Sequence, residues 1–405
     1  MYERKQLQTL RERMAEPRRR MQIVMGPRQV GKSTLVGQFT DSTDIPFDSF
    51  SADSVNPFDS TWIAARWQQA RMRMDINSEA EHILVIDEIL KIHGWSEQVK
   101  KEWDEDTRLH RNLKVILLGS SRLLIQKGLE ESLAGRFETI KLGYWAWQEM
   151  RDAFGLTMDE YIYFGGFPGL APDIHDEDRW KNLVEDSIIS PVLTRDILEI
   201  EEIRNPALLR QVFELACAES AKELSLTKMQ GTVNSGSVPT IKNYLDVLGK
   251  SMTVQPLLKY SPSPVREKQS VPKMQVFNNG FRNRYGTFSF EEARTDAAEW
   301  GRQVESAVGA HLANRSVIDD FELYYWRNDK KQECDYVLRR GQALVAIEVK
   351  SGAADSVAGF DKFRELYADR ITSAFIVGPQ ALPLEDFFSI DLKSLFKTGV
   401  CNPNR

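Results

Sequence analysis

The stretch from Met21 to Ser33, MQIVMGPRQVGKS, constrains this chain more than any other. Met21–Met25 read as a short buried strand. Gly26, Pro27, Arg28, Gln29, Val30, Gly31, Lys32 and Ser33 follow, and a helical pattern runs on from Thr34. Strand, glycine-bearing loop and helix in that order are the context that a phosphate-binding loop requires. Gly26 and Gly31 let backbone N–H groups turn inward around a β-phosphate, while the helix presents its positive end. Lys32 would reach the β- and γ-phosphates, and Ser33 would give a hydroxyl to Mg²⁺, so Gly26 to Thr34 are the expected ATP contacts.

A second segment completes that chemistry. HILVIDEIL reads as a buried strand of continuous apolar residues, Ile83 to Ile86, ending in Asp87 and Glu88. Acids at the carboxyl end of a parallel strand lie where such sheets bind ligands. Asp87 is expected to hold Mg²⁺ and Glu88 to polarise the attacking water. A third apolar strand, Leu113 to Leu118, ends in Ser120 and Ser121. Phosphate loop, acid strand and polar-tipped strand, in this order, resemble the AAA+ class of ATPases. The resemblance implies that Ser120 or Ser121 senses the γ-phosphate. It also makes Arg136, in ESLAGRFETIKL, a candidate arginine finger reaching a neighbouring subunit, which would require an oligomer. The competing reading of Arg136 is a salt-bridged arginine at the sheet edge.

The longer run from Lys91 to Phe137, together with YFGGFPGL (Tyr163 to Leu170) and SPVLTRDIL (Ser190 to Leu198), is similar to a bacterial and archaeal family of AAA-type ATPases with an uncharacterised C-terminal domain. Two departures stand out. LGYWAWQEM lacks the proline and serine that the family usually has before the glutamate, and Asn279 in FNNGF stands where an Asp is usual.

With 405 residues, two or three domains are expected, here 1–155, 156–265 and 266–405. A net charge of -6 gives no global attraction to nucleic acid, so DNA binding would need local basic faces; EPRRRM (16–21) and RWQQARMRM (66–74) are the candidates, with solvated helix faces as the alternative. No signal-like or membrane-length apolar run occurs, and Cys217, Cys334 and Cys401 are too scattered for a disulfide framework or zinc cluster. A cytoplasmic location, with no membrane partner, is the expectation.

Residues 156 to 255 read as helical. Leu209, Val212, Phe213 and Cys217 share one helix face, and Ser237 with Pro239 opens another helix before a strand pair. That order looks like a winged-helix module, in which Thr240, Lys242 and Asn243 would face a DNA groove. The alternative is a packing domain, since Lys228, Lys242, Lys250 and Lys259 are few beside the roughly 6 to 10 phosphate contacts of a tight DNA binder. Lys259 to Val276, rich in proline, serine and charge, reads as a loop or linker.

Beyond it, a helix bearing Glu305, three strands and a second helix suggest an α/β/α core. Asp335 lies in the second strand, and Glu348 and Lys350, two apart on the third, share a sheet face. Asp335 and Glu348 supply carboxylates suited to Mg²⁺ or Mn²⁺, Lys350 could orient or deprotonate a water, and Glu305 could complete the site. The pattern resembles the PD-(D/E)xK nuclease superfamily, in which the acids bind metal and the lysine activates water. The expected architecture is therefore an α/β chain: a P-loop AAA+-like parallel-sheet domain, a helical or winged-helix middle and a nuclease-like α/β/α end. Expected partners are DNA, a homo-oligomer or another protein. Two outputs follow from it, ATP-gated DNA cleavage or a non-nucleolytic switch with an inert last domain.

Overall fold

The computed structural model describes residues 1–119, 133–198, 203–352 and 357–397. The chain divides into two compact units, Met1–Leu142 and Gly143–Arg405. Among the described residues no helix is long and apolar enough to cross a membrane.

The first unit is built on five strands: β1 (Met21–Met25), β2 (Phe47–Ser51), β3 (His82–Asp87), β4 (Leu113–Gly119) and β5 (Phe137–Lys141). They lie in the order β2-β3-β4-β1-β5, and every pair is parallel. All residues of β1 and β4 are buried, Gln22 and Lys114 among them, which is why these strands read as largely apolar rather than alternating. The helices used below are α1 (Lys5–Ala15), α2 (Lys32–Thr40), α3 (Trp62–Asn77) and α4 (Trp95–Arg108). A buried ion network locks α3 to α4. Arg71 donates to Asp106 at 2.7 Å and to Glu102 at 2.7 Å, and the Trp67 indole donates to Asp106 at 2.7 Å.

That network also settles the two basic runs of this unit. Arg71 is buried, Arg73 pairs with Asp48, and the Arg66 guanidinium lies over Phe50 and Trp62. Arg18 stacks on Trp103 at 3.5 Å and donates to the Leu113 and Trp103 carbonyls, while Arg20 pairs with Glu138. These arginines serve the fold, and the expected basic faces at 16–21 and 66–74 are mostly neutralised by it.

The second unit begins with α5 (Trp147–Phe154) and α6 (Met158–Phe164), and continues through α7 (Pro206–Ala218), α8 (Leu226–Val233) and α9 (Val238–Lys250). Leu209, Val212, Phe213 and Cys217 are buried on α7. Ser237 caps α9, accepting from the Thr240 N–H at 3.3 Å, with proline in the first turn; Tyr244 and Leu245 face inward while Lys242 and Asn243 are exposed. β6 (Val254–Leu257) then pairs antiparallel with β7 (Lys273–Val276). The stretch 259–276, expected as a loop or linker, therefore holds a short helix, Pro264–Lys268, and a strand whose four residues are all buried. Its prolines and serines mark turns between elements; the burial of β7 comes from packing that local composition does not record.

After α10 (Asn279–Arg284), the long α11 (Ala297–Asp319) leads into β8 (Glu322–Arg327), β9 (Glu333–Arg340), β10 (Ala343–Val349), α12 (Ala358–Leu366) and β11 (Ile371–Val377). The sheet order is β11-β10-β9-β8: a β8–β9–β10 meander with β11 added parallel to β10 through α12. Helix, three-strand meander, helix and parallel fourth strand extend the α/β/α expectation by one strand.

Both departures from the resembling family have a local meaning here. Asn279 donates through its amide to the Ile162 carbonyl at 2.7 Å and the Gln303 carbonyl at 3.0 Å, and its Oδ1 accepts from the Ser306 hydroxyl at 2.7 Å. An aspartate has no amide donor for those two carbonyls. Ala146, at the N-cap of α5, cannot accept a backbone N–H through its side chain, although Glu149 still accepts the Ala146 N–H at 2.8 Å. The two reversions should therefore act in opposite directions in chemical unfolding. Ala146→Ser should stabilise by about 1 kcal/mol. Asn279→Asp should destabilise by about 3 kcal/mol, since it leaves two buried carbonyls facing a carboxylate.

Candidate functional site

The carboxyl ends of β1 and β3 carry the first candidate site. Gly31 adopts φ 87° at the N-cap of α2 and Gln29 φ 59°, so the loop curls with its amides at the helix N-terminus. Lys32 is buried, and its ammonium donates to the Gly26 carbonyl at 3.0 Å and the Pro27 carbonyl at 2.8 Å. The Arg4 guanidinium donates to the Val30 carbonyl at 3.1 Å, a support from the start of α1 that the sequence did not announce. Opposite, the Ser33 hydroxyl donates to Asp87 Oδ2 at 2.7 Å, and the Glu88 N–H donates to Asp87 Oδ1 at 2.8 Å.

Glu88 itself takes φ 51° and ψ 35°, a left-handed conformation that costs a side-chain-bearing residue and recurs at functional positions. The structure thus brings Lys32, Ser33, Asp87 and Glu88 to one end of the sheet. A hydroxyl and a carboxylate already in contact form a hard oxygen pair, which fits Mg²⁺; the curled loop and helix N-terminus fit a polyphosphate.

Ser120 and Ser121 lie outside the described residues. Arg136, immediately before β5, makes a bidentate pair with Asp104, Nε at 2.7 Å and Nη2 at 2.9 Å, and this hydrogen bond holds the Asp104 carboxyl below its usual range. In the single chain the guanidinium is thus committed to a partner on α4.

The second candidate site belongs to the second unit. Asp335 on β9, Glu348 on β10, Lys350 just beyond β10 and Glu305 on α11 line one open pocket of about 610 Å³, which Arg302 and Arg327 also border. Asp335 and Glu348 are buried. Asp335 Oδ2 accepts the Val349 N–H at 2.8 Å, while Glu348 accepts the Asp335 N–H at 3.4 Å and pairs with the Lys350 ammonium at 2.9 Å. Burial, reinforced by the charge of Asp335, pushes the Glu348 carboxyl above its usual range, against the pull of Lys350; burial pushes Glu305 up as well, against the pull of Lys273.

Lys273 is the residue that sequence reasoning missed. It sits in β7, buried, with its ammonium paired to Glu305 and 3.9 Å from Asp335 Oδ1. The four acid and lysine positions expected from sequence are thus brought together, but with a second lysine among them. As arranged, these carboxylates do not fit a divalent cation: one Glu305 oxygen and one Asp335 oxygen face the Lys273 ammonium, the other Asp335 oxygen accepts the Val349 N–H, and Glu348 holds the Lys350 ammonium and the Asp335 N–H. Among the described residues no group of three or more His, Cys, Asp or Glu is placed to hold a metal ion.

Three family models each match one part of the chain. Residues 18–151 match the AAA domain family, residues 156–291 a family described as "Domain of unknown function (DUF8612)", and residues 300–392 another described as "Domain of unknown function (DUF4143)". No curated protein matches this chain. Among solved structures, the Holliday junction branch migration motor RuvB of Thermotoga maritima is similar at 15% identity, covering 65% of this chain and 90% of that chain, with a TM-score of 0.31.

The geometry of the loop sets opposite expectations for two glycines of the same segment. A Cβ at Gly26 would fall 2.4 Å from the Leu142 carbonyl oxygen, whereas one at Gly37, inside α2, would meet nothing within 4 Å. Gly26→Ala should lower stability by about 1–3 kcal/mol and weaken ATP binding. Gly37→Ala should raise stability by about 0.5–1 kcal/mol and leave ATP binding unchanged. Thermal melts with and without ATP would read both.

Proposed function

We propose that this chain is an ATP-hydrolysing switch: its N-terminal AAA-type domain binds ATP, and the nucleotide state is passed to a DNA or protein partner through a C-terminal domain with a nuclease-like fold. The observation that carries the ATP half is the Ser33–Asp87 hydrogen bond beside the curled Gly26–Gly31 loop, on a segment matching the AAA domain family. Ser33 and Asp87 would hold Mg²⁺, which neutralises developing phosphate charge when bound. Lys32 would give up its two loop carbonyls for the β- and γ-phosphates. Glu88 would orient and activate the attacking water, and its left-handed backbone fixes where that carboxylate starts. Arg136 would have to leave Asp104 before serving a neighbouring subunit in an oligomer. Residues 1–155, 156–265 and 266–405 are taken as the working divisions, the middle one presenting Lys242 and Asn243 on a winged-helix-like face.

The non-nucleolytic form of the switch is favoured because Lys273, a cation outside the expected set of acids and lysine, pairs with Glu305 and lies 3.9 Å from Asp335 Oδ1. The second reading, metal-dependent DNA cleavage, draws on a separate observation: Asp335, Glu348 and Lys350 share the wall of one open pocket. No cleavage step through a metal follows from the present arrangement.

Glu88→Gln should retain ATP binding and lose turnover; ordinary hydrolysis by this variant would remove Glu88 from the role of base. For the output, plasmid, linear duplex and single-stranded DNA would be incubated with Mg²⁺ or Mn²⁺, with and without ATP, beside Lys350→Ala. The switch reading expects no cutting by either protein, while cutting that disappears in Lys350→Ala would establish the nuclease instead.

A further inference from the structure

A lysine in a protein interior needs a reason, because an ammonium stripped of water is costly unless carboxylates face it. Burial alone would pull Lys273 down, yet the carboxylates of Glu305 and Asp335 push it well above the usual lysine range, so it is a cation. Its backbone is fixed by the pairing of β7 with β6, and its ammonium lies 4.8 Å from the Tyr336 ring centroid and 3.5 Å from the Asp335 carbonyl oxygen. Tyr336 in turn donates to the Glu305 carbonyl at 2.8 Å. The side chain is thus held from several directions.

We propose that Lys273 is a tethered counterion that keeps divalent metal out of the pocket formed by Glu305, Asp335 and Glu348 for as long as β7 stays paired. The inference deepens the non-nucleolytic reading and rests on the nuclease-like fold of this pocket. A hard dication needs several oxygen ligands converging on one point. Here one Glu305 oxygen and one Asp335 oxygen face the ammonium, the other Asp335 oxygen takes the Val349 N–H, and Glu348 is taken by Lys350 and the Asp335 N–H. A second cation beside these acids would meet a fixed positive charge where water screens it poorly. Lys273 reaches the acids from a hairpin that precedes the helix and meander carrying them. The pocket's occupancy is therefore set by whether that hairpin keeps its place.

The test is Mn²⁺ binding to the nucleotide-free full-length chain, followed by electron paramagnetic resonance of the free ion. Wild type, Lys273→Arg and Glu348→Gln should show the same residual binding, any of it belonging elsewhere in the chain. Lys273→Met should gain one Mn²⁺ per chain, at least about a hundredfold tighter, and the gain should vanish in the Lys273→Met, Glu348→Gln double variant. Wild-type binding that Glu348→Gln removes would overturn the proposal without recourse to any Lys273 variant. So would a folded Lys273→Met, judged by circular dichroism, that binds no extra ion. If Lys273→Met does not fold, Lys273→Gln takes its place, and the wild-type comparison still decides. Because bound metal is the readout, the result stands apart from ATP turnover and from DNA cutting.

Discussion

Polar side chains on a buried helix must find partners, and on α11 that requirement organises the second unit. Gln303 exchanges hydrogen bonds with Asn283, Ser306 donates to Asn279, and the Asn314 amide donates to the Phe277 carbonyl while its oxygen accepts the Tyr144 N–H. The partners lie on two distant stretches of chain, one just before α5 and one running from Phe277 through α10, so satisfying one helix fixes the approach to α5, the turn into α10 and α10 itself. Nonpolar packing would tolerate rotation or sliding of α11; these bonds do not, because a slipped helix would leave several buried donors unpaired.

The same network reaches the acidic pocket. Gln275 on β7 donates to the Ser306 carbonyl and accepts from the Tyr336 hydroxyl, and Lys273, two residues earlier on the same strand face, meets Glu305. Hairpin, helix and meander therefore share one set of polar contacts, and the charge state of the pocket belongs to the packing of the whole unit. Fold alone does not decide chemistry here. The helix and meander bring together the acids expected from sequence, while a strand from outside that segment supplies the neutralising charge.

The N-terminal site was legible because its chemistry is local: a loop and an acid strand, each contiguous in sequence, carry glycines, lysine, serine and acids whose roles depend on spacing. Asp335, Glu348 and Lys350 were legible for a similar reason, being close in sequence on neighbouring strands. Lys273 was not, since VPKMQV follows a proline- and serine-rich run and its partners lie 32 and 62 residues away. Only long-range pairing turns that segment into a buried strand. The partners of the basic runs were hidden by the same logic: Arg71 and Arg18 look solvated in sequence, but distant acids, carbonyls and an indole receive them.

Lys32 offers a last consequence. With its ammonium resting on the Gly26 and Pro27 carbonyls, the phosphate loop is already closed around an internal donor. A polyphosphate arriving there exchanges one set of partners for another and orders little chain. Its calorimetric signature should accordingly be a small heat-capacity change, unlike that of a loop that folds around its ligand.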